Sequence, residues 1–230
     1  MREKALAFLF DMDGLLMDTE DVHIRAYMKL TQRLGKAQSF DSLKRFIGHS
    51  HHVTCKWLVE GLGFENPMEE LIAWEHELYF QILDDEKPSP LPGVRELFDL
   101  GDELQLKRAL VSSSIHKQVD PTMRILTENL KRMGEWKSHF QAICTGDRVQ
   151  RLKPSPELYL LATKELNLDP RHCIAFEDSP AGVSAAHAAG CRVVAIPNMY
   201  LNAEEVSQGK AHYVFKTLAE AHKNMDAILN

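Results

Sequence analysis

The residues of this 230-residue chain best suited to chemistry are Asp11 and Asp13, Ser112, Lys153 and the pair Glu177–Asp178. Each follows a short apolar run: Ala5–Phe10 before Asp11, Arg108–Val111 before Ser112, Gln141–Cys144 upstream of Lys153 in RLKPSPE, and Cys173–Phe176 before Glu177. Several carboxylates with one lysine and one hydroxyl are what phosphoryl transfer requires. The carboxylates offer hard oxygen ligands for Mg²⁺. The lysine would hold nucleophile and phosphate together by charge, while the hydroxyl and nearby backbone N–H groups orient the phosphoryl oxygens. Taken singly, each residue has an ordinary reading. Asp13–Gly14 is turn chemistry, and Ser112 could simply end a strand, since Ser113 or Ser114 could equally present a hydroxyl. Lys153 could be a surface lysine. Glu177 and Asp178, ahead of Ser179–Pro180, could cap the following helix.

The elements that must position these residues favour the joint reading. An apolar run such as Ala5–Phe10, uninterrupted and closed by aspartate, reads as a strand buried on both faces. From Val94 onward helix and strand patterns alternate. Helical stripes (Val94, Leu97, Phe98, Leu104; Val119 to Met133; Leu158 to Leu166; Ala181 to Ala189, closed by Gly190) separate strands at Arg108–Val111, Gln141–Cys144, Cys173–Phe176 and Arg192–Ile196. This alternation implies an α/β fold, a Rossmann-like parallel sheet with helices on both faces. In such sheets ligands bind beyond the carboxyl ends of the strands, where all the candidate residues fall. Between Leu16 and about Glu86 the pattern is helical, with stripes through Val22, Ala26, Leu30 and Leu34 and through Met68, Leu71, Ile72, Tyr79 and Ile82, and a shorter helix at Val53–Leu62. Some seventy residues are too many for a loop. Residues 17–86 are therefore expected to form an inserted helical cap domain, and residues 1–16 and 87–230 the core, with Pro88, Pro90, Pro92 and Gly93 marking the return.

Composition agrees with a globular protein: 44% hydrophobic and 26% charged residues. A net charge of −6 argues against a nucleic-acid polymer as partner, while leaving room for a basic pocket that takes one phosphate. The cysteines, Cys55, Cys144, Cys173 and Cys191, lack ligand spacing and read as reduced core residues. No run is long enough to span a membrane, and the N-terminal apolar run is too short for a secretory signal, so a cytoplasmic location is expected.

Four segments carry a resemblance. FDMDGLLMDTE, ALVSSS, LKPSPE and IAFEDSPAGVSAAHAAG are similar to the successive motifs of the haloacid dehalogenase superfamily, in the helical-cap branch that includes β-phosphoglucomutase and many small-molecule phosphatases. The resemblance implies that Asp11 is the nucleophile and forms an aspartyl phosphate. It implies that Asp13 is the general acid and base. Mg²⁺ would be bound by the Asp11 side chain, the Asp13 carbonyl and Asp178, with Glu177 acting through a metal-bound water or a neighbouring contact. Ser112, Ser113 and Lys153 would bind phosphate. In the cap, Gly48–His49–Ser50, continuing into His51 and His52, resembles a substrate-specificity loop; read from the residues alone it is a solvated loop or a substrate contact, and a metal site of histidines is disfavoured because Mg²⁺ prefers oxygen.

The activity so implied is a Mg²⁺-dependent phosphatase of a small phosphomonoester, a sugar phosphate or nucleotide-related compound, in a monomer or weak homodimer. The alternative is a mutase of the β-phosphoglucomutase kind. A dehalogenase would leave Asp13 without work, and a non-catalytic phosphometabolite sensor would be expected to have lost Asp11, Asp13 or Asp178. Two departures stand out: Leu152 occupies the place where relatives usually have glycine before the motif lysine, and the segment around residues 120–134 looks extended.

Overall fold

The computed structural model describes residues 3–49 and 51–229. Among them, six strands form one sheet: β1 (Ala7–Phe10), β2 (Lys107–Val111), β3 (Ala142–Cys144), β4 (Cys173–Glu177), β5 (Arg192–Ala195) and β6 (Tyr213–Val214). Their order is β3-β2-β1-β4-β5-β6, and every pairing is parallel. This is the α/β fold expected from the alternating pattern.

The apolar character of β1 follows from its central place. All four of its residues are fully buried, and their period of two divides them between the two faces. Phe8 and Phe10 face an aromatic layer in which Phe10 stacks on Phe176 at 5.1 Å and meets Phe98, from the helix Val94–Glu103, at 5.4 Å. Ala7 and Leu9 face a second layer that includes Leu158, Tyr159, Val183 and Ala185, from the helices Glu157–Leu166 and Pro180–Ala189. The alanines of the latter helix let it lie close to the sheet. All four cysteines are buried and free, consistent with their reading as core thiols.

From β1 the chain builds outward to β2 and β3 on one side, then returns to add β4, β5 and β6 on the other. The direction of winding thus reverses between β1 and β4. In open parallel sheets such a reversal is where ligands bind, beyond the carboxyl ends of the two strands. Asp11 leaves β1 there, and Glu177 ends β4 beside it.

The chain divides into two compact units, Met1–Met17 with Ser89–Asn230, and Asp18–Pro88. Among the described residues, the regular elements of the second are helices. Its helices Glu20–Arg33 and Met68–Glu86 pack together, joined by Phe40–Leu43 and His51–Leu62. Inside it, the fully buried Glu75 accepts a hydrogen bond from His23 Nδ1 at 2.8 Å, and the His23 ring stacks on Tyr79 at 4.1 Å. No helix among the described residues is long and apolar enough to cross a membrane.

Some local expectations need correction. The helix expected to run through Met133 is His116–Asn129; Lys131 takes a left-handed conformation and Met133 stands 90% exposed in the following loop. The methionine keeps the helical spacing although the helix has already ended. Glu177 belongs to β4 itself and does not follow it. Glu177 and Asp178 do not cap the next helix; Ser179 does, its hydroxyl accepting from the Gly182 N–H at 3.1 Å. The two-residue β6 and the short helices Ala203–Ser207, Leu218–Lys223 and Met225–Leu229 had no reading, being too short for a periodic pattern.

Candidate active site

The first loop begins where β1 stops. The Asp11 N–H still donates to the Phe176 carbonyl at 3.2 Å, after which the Leu16 N–H bonds back to the Met12 carbonyl and the Gly14 N–H to the Met17 carbonyl, both at 2.9 Å. This tight return requires φ of +76° at Gly14. Glycine is needed there for a second reason: a Cβ would lie 2.3 Å from Asp178 Oδ2. The sharp turn and the close approach of Asp178 therefore depend on one residue.

Asp11, Glu177 and Asp178 are all buried, and each offers a carboxylate oxygen within 4.8 Å of the others. Lys153, whose side chain is only 5% exposed, reaches into this group from the loop after β3. Its Nζ bonds to Asp11 Oδ1, to Glu177 Oε1 at 2.6 Å and to the Val111 carbonyl at 2.8 Å. Burial alone would push the ammonium's pKa down, but the charges of Asp11 and Glu177 outweigh it and hold the pKa above the ordinary lysine value. For Asp11, burial pushes the carboxyl well above the usual range; Lys153 pulls it back, and the charges of Glu177 and Asp13 add to the rise. Three carboxylates thus gather with one ammonium in a buried space. A divalent cation among hard oxygens would balance that charge, and Mg²⁺ suits such donors.

Tyr159 is a member of this site that the sequence reading passed over. Its ring is fully buried beside Lys153, 5.3 Å from Nζ, and its hydroxyl donates to Glu177 Oε1 at 2.5 Å. Burial and then the Glu177 charge push the phenol well above its ordinary pKa, so it remains a donor. The available signal was a hydroxyl-bearing ring within an otherwise apolar helical stripe, since a buried tyrosine usually has a partner for its O–H. Gly182 was also passed over. It makes room for Glu177, because a Cβ there would lie 1.8 Å from Oε2.

The residues after β2 surround Asp13. Ser112 is buried; its Oγ accepts from the Ser114 N–H at 3.0 Å and lies 3.5 Å from Asp13 Oδ2. Ser114 Oγ donates to the same Asp13 oxygen at 2.8 Å. Of the three serines, Ser113 is half-buried with its carbonyl oxygen close over Gly146. The Asp13 carboxylate is thus held by serine hydroxyls and is not among the three carboxylates that could hold a metal ion. Leu152, the departure from the usual glycine, is 38% exposed and lies over Gly146. The Lys153–Pro154 peptide is cis. In the helical unit, the Gly48 N–H donates to Glu20 Oε1 at 3.3 Å and the His49 ring meets Phe46 at 6.4 Å. Ser50 lies outside the described residues, as does the side chain of His51.

The profile of the haloacid dehalogenase-like hydrolases matches residues 8–196, from β1 to just past β5. The chain belongs to that family. A relative in Thermotoga maritima, a phosphorylated carbohydrates phosphatase, is 32% identical over 205 residues, covering 89% of this chain and 88% of that protein. The protein CbbY of Rhodobacter capsulatus is 33% identical over 210 residues, covering 87% and 89%. Among solved structures, a mutant CbbY from Rhodobacter sphaeroides in complex with xylulose-(1,5)bisphosphate superimposes with a TM-score of 0.82 at 25% identity, covering 94% of this chain and 96% of that one. The family is one of hydrolases, and the Thermotoga maritima relative is named as a phosphatase.

Proposed function

We propose that this chain is a Mg²⁺-dependent phosphatase that hydrolyses a small phosphomonoester through an aspartyl phosphate on Asp11. The observation that carries the reading is the buried constellation beyond the ends of β1 and β4: Asp11 held by Lys153, with Glu177 and Asp178 alongside and Asp13 two residues further along the same loop, held by a serine of the loop after β2. The relative that acts on phosphorylated carbohydrates and the bisphosphate complex of a structural neighbour support a sugar phosphate as the substrate class.

In this mechanism an Asp11 carboxylate oxygen bonds to phosphorus as the ester P–O bond breaks. Asp13 gives its proton to the departing oxygen, releasing the alcohol. Asp13 then takes a proton from water as the water oxygen bonds to phosphorus and the Asp11–phosphorus bond breaks, releasing phosphate and restoring both carboxyl groups to their starting states. Lys153 and the Ser112 hydroxyl meet the phosphoryl oxygens, with Ser113 as a further candidate. Asp11, Asp178, the Asp13 carbonyl and, directly or through a water, Glu177 would hold Mg²⁺, which supplies positive charge where the phosphoryl oxygens gain negative charge. Selection of the leaving group is assigned to the helical unit acting as a cap, with Gly48 and His49 as its candidate contacts.

The test is phosphate release from a panel of sugar, polyol and nucleotide phosphates, with Mg²⁺ and with EDTA, using Asp11→Asn as the blank. Metal-dependent release that Asp11→Asn abolishes is expected. No release from any compound, together with bisphosphate-primed interconversion of sugar phosphate isomers, would replace the phosphatase with the mutase. An Asp11→Asn enzyme as fast as the parent would end the covalent mechanism.

A further inference from the structure

We infer that Ser114 is the positioning residue that aims the Asp13 carboxyl at the leaving group, an inference that rests on the role proposed for Asp13. The geometry separates the serines of the β2 loop. Ser112 is buried, and its oxygen is engaged as an acceptor by the Ser114 N–H, at 3.0 Å. It lies 3.5 Å from Asp13 Oδ2, the outer limit for a hydrogen bond. Ser114 Oγ lies 2.8 Å from that same oxygen, at full hydrogen-bond strength, and a hydroxyl donating to a carboxylate makes one of the stronger kinds of contact.

The backbone that carries this hydroxyl is fixed on both sides. The Ser114 N–H is spent on Ser112 Oγ, its carbonyl accepts from the Gly146 N–H at 2.9 Å, and the Ser112 N–H donates to the Cys144 carbonyl at 2.9 Å. The loop after β2 is therefore tied to the loop after β3, and Ser114 presents its oxygen from a braced frame. Asp13 is half-buried beyond the end of its strand, and its carboxylate meets this frame through Oδ2. Holding one oxygen, Oδ2, fixes where the other points. Proton transfer to a departing oxygen requires the acid within hydrogen-bond reach of it, so a carboxyl aimed elsewhere would lose most productive encounters.

A residue that acts through the general acid leaves a signature that a structural residue does not. Leaving groups that are good anions depart without a proton, whereas poor ones need it. With para-substituted phenyl phosphates from nitro to methoxy, shape stays constant while leaving-group basicity rises. In the parent enzyme kcat/KM should depend only weakly on that basicity. Ser114→Ala should leave kcat/KM for p-nitrophenyl phosphate within about threefold and lower it by about 10- to 100-fold for p-methoxyphenyl phosphate, steepening the slope. For p-nitrophenyl phosphate its kcat should still fall, because water attack on the aspartyl phosphate needs Asp13 as base whatever group has left. Ser114→Thr, which keeps the hydroxyl, should restore both, and in an Asp13→Asn background Ser114→Ala should cost nothing further.

Equal losses across the series, full additivity with Asp13→Asn, or failure of Ser114→Thr to recover more than Ser114→Ala would overturn the inference. Should Ser114→Ala not fold, Ser114→Cys, of similar volume and a weaker donor, carries the same comparison. A steep slope in Asp13→Asn with an unchanged one in Ser114→Ala would remove Ser114 and leave the acid in place. An unchanged slope in Asp13→Asn would overturn the role of Asp13 and this inference with it.

Discussion

Replacing Gly182 by alanine should destabilise the protein although the residue sits inside a helix. In an ordinary helix interior alanine is better than glycine by about 1 kcal/mol. Here the new Cβ would lie 1.8 Å from Glu177 Oε2 and 2.0 Å from its Cδ. Glu177 cannot step aside freely, because its Oε1 holds Lys153 Nζ at 2.6 Å and the Tyr159 hydroxyl at 2.5 Å. Moving the carboxylate disrupts two hydrogen bonds to a charged group, worth about 1.5–3 kcal/mol each. Less the propensity gain, Gly182→Ala should cost about 2–5 kcal/mol. Urea unfolding followed by circular dichroism would show this as a midpoint lower by about 1 M or more. Activity should fall as well, since Glu177 anchors Lys153. The decisive control is the same substitution in a Glu177→Ala background, where the space is open and the alanine should be neutral or stabilising. A single variant as stable as the parent, or an equal cost in both backgrounds, would refute the reasoning.

Phe10→Ala should cost about 3–5 kcal/mol, because it empties a fully buried site between Phe176 and Phe98; a loss under about 1 kcal/mol in the same urea assay would contradict the central place of β1. Burial pushes the thiols of Cys55, Cys144 and Cys173 up to about 12, so alkylation by iodoacetamide at pH 8 should label the native protein far more slowly than the urea-unfolded one. Equal rates counted by mass spectrometry would contradict that burial. Hydrogen bonds from Arg171 lower the Asp169 carboxyl to about 2, from an ordinary value of 3.8. A carboxyl lowered on folding contributes stability that is present above its unfolded value and is lost as pH falls through the folded one. The NMR titration of Asp169 should therefore centre near 2, and the gap in stability between the parent and Asp169→Asn should close as pH falls from about 4 toward about 2. A midpoint at the ordinary value would count against the ion pair.

The edge that carries the candidate site was legible because parallel strands and carboxyl ends are one-dimensional features. A buried central strand must be apolar throughout, so Ala7–Phe10 announces itself, and a carboxylate directly after it, as at Asp11, has to lie where the strand stops. The same reasoning placed Ser112 and Asp178, and the loop with Lys153. Alternation of helix and strand then implied the parallel sheet. Met133 went the other way: its spacing matched the helical stripe, but spacing says nothing about where a left-handed residue such as Lys131 ends the helix.

Partners were not legible. That Tyr159 holds Glu177, that Gly182 clears its carboxylate and that Ser114 engages Asp13 are relations across 18, 5 and 101 residues. Residue types and local periodicity determined the kind of sheet, its buried strands and which chemical groups stand at its edge. Tertiary structure alone decided which of three adjacent serines points at Asp13 and which tyrosine among the core residues faces a carboxylate. Side-chain direction in a loop depends on backbone torsions set by distant contacts, as when the Gly146 N–H and the Cys144 carbonyl brace the serine loop. Local sequence carries the propensity of each residue, but hydrogen bonds form between atoms that folding brings within 3 Å, and that proximity is a property of the packed chain.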